Sequence, residues 1–168
     1  MSSSLFDDLE SQPQSAGMEA ADAKTLRLSS PEFSAATLEA LIRYQEAFLA
    51  HAEQPSVSPD SLGTAHQLGL QASGLDVKMV EKGNALLRAY SGKRWTARRL
   101  KTRLAELEQQ TDATAAEKAR RAREEMYRVE DLEPLARRYR QETIDLLNQH
   151  EERLVELHVR MQKVLNRP

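Results

Sequence analysis

Three features of the sequence predict an all-α fold, a helical bundle built on one long antiparallel helical hairpin. The 168 residues are rich in Ala, Leu, Glu, Arg and Gln, and only eight are aromatic, a composition that suits helices rather than sheets. Apolar residues recur at steps of three and four along most of the chain, the spacing of one helical face. Ser, Asp and Pro stand where several of these runs begin, and these residues cap helices or fit their first turn. A chain of this length supports a single core. One helical domain is therefore expected over 31–168, preceded by a disordered acidic tail over 1–30.

The tail is mostly Ser, Gln, Ala and acids, with Pro13 and Gly17 interrupting any pattern. One stretch stands apart, "SLFDDLE" at 4–10. Leu5, Phe6 and Leu9 sit at helical spacing among Asp7, Asp8 and Glu10. Apolar anchors framed by acids suit a short segment that docks in a partner's groove.

The first helix is expected from Pro31 to about Ala52. Ser30 is its cap, Glu32 favours its first turn, and Leu38, Leu41, Ile42, Phe48 and Leu49 form its buried face. "QPSVSPD" at 54–60 is a loop. A short second helix follows from Pro59 to Leu70, in which Gly63 and Gly69 each cost about 1 kcal/mol relative to alanine. A third covers about 75–90, with Met79, Val80, Leu86, Leu87 and Tyr90 facing inward. Gly83 shares that face and allows another helix to cross closely. "YSG" at 90–92 is expected to end it.

The hairpin comes next, with arms at about 96–129 and 132–166. The first arm starts at Thr96 and carries Ala97, Leu100, Leu104 and Leu107. Beyond a bend near "QTDAT" its stripe turns to Ala115, Ala119 and Ala122, then Met126 and Val129. The second arm is capped by Asp131 and takes Pro134 in its first turn. Its stripe runs Leu132, Ala136, Tyr139, Thr143, Leu147, His150, Leu154, His158, Met161 and Leu165, nine steps over 33 residues. A step near 3.67 suits a straight helix, whereas a left-handed supercoil needs 3.5. Folding about 130–131 sets Leu104 beside His158 and Ala115 beside Leu147. The basic stretch 117–140 is then expected to project.

"SGKRWTARRL" at 91–100 holds the only tryptophan. With Thr96 as a cap, Trp95 and Leu100 form a hydrophobic staple. Lys93, Arg94, Arg98 and Arg99 then crowd a first turn, where cations oppose the helix dipole. Some negative group must offset them. The candidates are Glu151, Glu152 and Glu156 across the hairpin, the acidic tail, or an external phosphate. The charge layout is uneven in the same sense. Residues 1–60 hold ten acids and three bases, and residues 93–140 hold fourteen bases and nine acids.

Chemical motifs are sparse. There is no cysteine, hence no disulfide or thiolate site. His150 and His158 fall on or beside an apolar face as packing residues, and Leu154 stands where HExxH needs its second histidine. No phosphate loop, dinucleotide fingerprint or nucleophile elbow occurs. No enzymatic activity, metal or cofactor is therefore expected. The start MSSSLFDDLE lacks the basic and apolar runs of a secretory signal, and no run approaches a membrane span, so a cytoplasmic protein is expected.

These observations favour a protein–protein adaptor, scaffold or assembly factor acting through the hairpin and the N-terminal segment, with homodimerisation as one form of assembly. Its expected contact residues are Leu5, Phe6, Leu9, Lys93, Arg94, Trp95, Arg98 and Arg99. The alternative is a nucleic-acid-associated protein that binds phosphates through 93–103. Against it, Glu106, Glu108, Glu117, Glu124 and Glu125 are interspersed with the bases.

Overall fold

A computed structural model describes residues 33–58 and 61–166. The predicted tail, including Leu5, Phe6 and Leu9, lies outside the described residues. Within them the chain is all helical, in seven segments: α1 Ala35–Ala52, α2 Leu62–Ser73, α3 Val77–Glu108, α4 Ala113–Glu130, α5 Glu133–Tyr139, α6 Gln141–Gln149 and α7 Glu151–Leu165.

Local chemistry sets most of the helix ends. The cap of α1 is Ser34, whose Oγ accepts from the Thr37 amide at 3.2 Å, rather than Ser30. Asp76 and Asp112 cap α3 and α4 in the same manner, accepting from the Met79 and Ala115 amides at 2.8 and 2.6 Å. Gly74 closes α2 in the left-handed conformation, with φ 70°, which costs glycine nothing. Asp131 accepts from the Glu133 amide at 3.0 Å as α5 begins.

The predicted hairpin of 96–129 against 132–166 is replaced by a different one. α3 runs unbroken for 32 residues through "YSG" and Trp95, so Thr96 is interior and caps nothing. Its small residues serve packing instead of ending the helix. Ser91 is buried, and a Cβ on Gly92 would meet the His158 ring of α7 at 3.9 Å, an ordinary contact distance. The reversal occurs at 109–112, and α4 turns back along α3. Leu107 packs with Ala115 and Ala119, and Leu104 borders them. At the other end of α4, Lys93 Nζ donates to the Asp131 carbonyl at 2.8 Å. The tip of the hairpin is therefore 109–112, and the basic stretch 117–140 runs back toward the body rather than projecting.

The predicted long second arm is three helices. Chain breaks at Arg140 and His150 separate α5, α6 and α7. Each break resets the helical phase. Leu165, placed in the core by the single-stripe pattern, is 46% exposed, while Leu157 and Val164 are buried in its stead. α3 meets α7 nine residues earlier than predicted, with Trp95 rather than Leu104 beside His158.

The main core joins Leu38, Leu41 and Leu49 of α1, Val80, Leu86, Leu87 and Tyr90 of α3, Leu135 of α5, Ile144 and Leu147 of α6, and Leu154 and Leu157 of α7. Two glycines bring helices unusually close. A Cβ on Gly83 would overlap the Leu41 side chain, and one on Gly69 would stand 2.6 Å from the Tyr44 ring and 2.9 Å from its carbonyl oxygen. Arg153 pairs with Glu46 and Arg160 with Glu53. Both pairs are 107 residues apart in sequence, so α1 and α7 run parallel.

Arg140 links α5 to α6 with φ 88° and ψ 149°, a conformation close to one that only glycine adopts freely. Such strain costs about 1–3 kcal/mol, and a glycine adds about 0.4–1 kcal/mol of unfolded-state entropy.

Candidate functional site

The predicted contact residues of the described chain all lie on one stretch of α3, and most are engaged within the fold. Because α3 is continuous, Lys93 to Arg99 occupy mid-helix, where the dipole no longer opposes them. Arg94 and Arg98 both reach Glu151 in the first turn of α7. Arg94 Nε donates to one carboxylate oxygen, and Arg98 donates to the other at 3.1 Å. Of the three acids expected to offset this cluster, Glu151 is the one that pairs with it. Burial raises the Glu151 carboxyl, but the two guanidinium hydrogen bonds and charges outweigh it and hold it below the ordinary carboxylate value. Lys93 is held on the Asp131 carbonyl.

Trp95 is half-buried and its ring meets His158 edge-on, with centroids 5.7 Å apart. It forms no staple. The Arg99 guanidinium lies over the ring, 4.9 Å from its centroid, a cation–π contact. Among the described residues Arg99 pairs with no carboxylate. Trp95, Arg98, Arg99, Thr102, Arg103 and Glu106 line a shallow depression of about 460 Å³. Arg103 stands 3.6 Å from Glu106 at its far end.

His158 packs against both Trp95 and Gly92. Burial, and then the charge of Arg88, lower its pKa from the ordinary 6.5. The unfolded chain therefore binds this proton more readily than the folded one. Stability from this group is complete above pH 6.5 and declines as pH falls below it, toward the folded-state pKa. Urea midpoints taken from pH 7.5 to pH 5.5 are expected to fall more steeply for the native chain than for His158→Gln. Parallel declines would mean that other groups set the acid limit.

Buried Tyr90 donates to Asn148 Oδ1 at 2.7 Å, tying α3 to α6, and burial raises its hydroxyl to about 12. Beside this contact a groove of about 670 Å³ runs between α1 and α6–α7. Among its charged groups Arg153 pairs with Glu46, while Glu151 is held by Arg94 and Arg98 of α3 and Arg160 by Glu53 of the chain just after α1. Tyr44 OH and His66 Nδ1 are 2.6 Å apart across α1 and α2, so His66, isolated in the sequence, has a partner. Among the described residues no cluster of His, Asp and Glu could hold a metal ion, and no helix is long and apolar enough to cross a membrane.

Sequence reasoning missed one feature. Tyr127 of α4 is 81% exposed, the most exposed of the large apolar side chains described. α4 buries Ala115, Ala119 and Ala122 against α3 and turns its other side to solvent. Tyr127 stands on that side, one residue past the half-buried Met126. Its neighbours one turn back are Arg123 and Glu124. The ion pairs Arg120–Glu117, Arg120–Glu124 and Arg128–Glu125 run along the same helix. Tracing the stripe with a helical wheel, rather than stopping at its last apolar member, would have exposed it.

No protein-family model, curated protein or solved structure matches the chain.

Proposed function

We propose that the chain is a cytoplasmic, non-enzymatic protein-interaction protein, an adaptor, scaffold or assembly factor. It docks partners through the α3–α4 hairpin and a short N-terminal segment at 4–10. Exposed Tyr127, on the solvent side of a helix packed mainly against one neighbour, carries the proposal. Tyrosine gives large contact area at small entropic cost and is enriched among residues that dominate binding energy. The paired Arg and Glu residues around it fit the polar rim of such an interface. In the basic segment, Arg94 and Arg98 are committed to Glu151 and Lys93 to a carbonyl, and Arg99, stacked on Trp95, is the one of the four without such a polar partner among the described residues. This favours protein docking over phosphate binding along the segment, which would need several of these groups free together.

The test is capture from an extract of the source cells, with nuclease treatment, comparing the native chain with Tyr127→Ala. A partner held by the native chain through nuclease and lost by Tyr127→Ala, with helicity and melting unchanged, is expected. Truncating a dominant interface tyrosine costs about 2 kcal/mol or more of binding. Equal capture by both chains would remove Tyr127 from the interface. Capture that disappears with nuclease would transfer the function to nucleic acid.

A further inference from the structure

We infer that, when no partner is bound, residues 4–10 of this chain are seated on the Trp95–Arg99–Arg103 face of α3. The inference rests on the proposal that 4–10 is a docking segment, and it assigns that segment a place on its own molecule.

The face has the chemistry of a receptor for an acidic, apolar peptide. Trp95, Arg99, Thr102, Arg103 and Glu106 follow one side of α3, and the depression they line is within the size range that accepts small apolar groups. Arg99 is the telling residue. Its guanidinium is fixed over an aromatic ring and has no carboxylate partner among the described residues, although nearby Arg94 and Arg98 share one. A cation ordered in this way offers a carboxylate a charged hydrogen bond at little further entropic cost.

Residues 4–10 supply the complement. Asp7, Asp8 and Glu10 match Arg99, and Arg103 where it turns from its long 3.6 Å contact with Glu106, while Phe6 and Leu9 match the indole. The segment is also tethered closely enough. Residues 11–32 are 22 residues, which even as a flexible coil span about 26 Å. A folded chain of this size has a radius of gyration of about 15 Å. The tether makes the contact intramolecular, so a weak complementarity suffices to populate it. A partner that takes residues 4–10 then uncovers the basic face, and the two docking elements become available together.

Trp95 is the only tryptophan, so its fluorescence in the full chain reads the face directly. Leu5→Ala with Phe6→Ala and Leu9→Ala is expected to red-shift the emission and raise acrylamide quenching. Asp7→Lys with Asp8→Lys is expected to do the same, and adding Arg103→Glu to that pair to restore the native values. The native chain should shift toward the variants at about 1 M salt, where the Debye length is about 3 Å. The effects should be unchanged over about a hundredfold range of protein concentration. Emission and quenching equal to native in both tail variants would overturn the inference. So would a difference that grows with concentration, because the seat would then be on a second copy. Failure here with Tyr127-dependent capture intact leaves the docking function standing, and loss of that capture leaves the Trp95 result to be judged alone.

Discussion

Leu147→Ala is expected to lower the unfolding free energy by about 2–5 kcal/mol, the range for emptying a fully buried leucine site. Leu147 has no exposed surface, and it belongs to a helix of nine residues. Helices that short do not hold themselves in water. α6 lies between the strained turn at Arg140 and the break at His150, so neither flank extends it. What holds it is the burial of Thr143, Ile144 and Leu147, together with the Tyr90–Asn148 bond. Denaturant melts should show the loss, and hydrogen exchange should show α5 and α6 opening ahead of α1 and α3. A cost below about 1 kcal/mol would mean that the site collapses around the deletion and that α6 is not anchored as described.

Gly69→Ala is expected to be the next most damaging change, at about 1–3 kcal/mol, despite adding a better helix former. The new methyl would meet both the Tyr44 ring and the Tyr44 carbonyl oxygen. The backbone of α1 cannot yield locally, and the ring is held by the hydroxyl contact with His66. The control lies six residues earlier in the same helix. A Cβ at Gly63 meets nothing within 4 Å, so Gly63→Ala should stabilise by about 0.5–1 kcal/mol. Opposite signs for one substitution in one helix would establish the close α1–α2 crossing. Two stabilising results would place the helices farther apart.

The helical class, the faces of α1 and α4, and the close approach at Gly83 were legible because each rests on local spacing or on the absence of a side chain. The pairing partners were not. "YSG" reads as a stop because Ser and Gly favour chain breaks, yet here both lie inside a continuous helix and Ser91 is buried. The breaks at Arg140 and His150 carry no glycine or proline, so a single stripe fits the spacing of all three helices. The α4 alanines were correctly placed on a packing face, but small side chains do not say which helix covers them. Within the site, Glu151 was legible as an offsetting charge. Arg99 stacked on Trp95 was not, because i,i+4 spacing also fits two independent solvent-facing residues.

The docking function is tested most directly by placing a photo-crosslinking phenylalanine analogue at Tyr127 in the full chain, with the same analogue at Leu165 as a control. Both positions are exposed, at 81% and 46%. One discrete protein adduct from position 127, absent from position 165 and insensitive to nuclease, is the predicted result. The same diffuse set of adducts from both positions would contradict a docking surface on the α3–α4 hairpin.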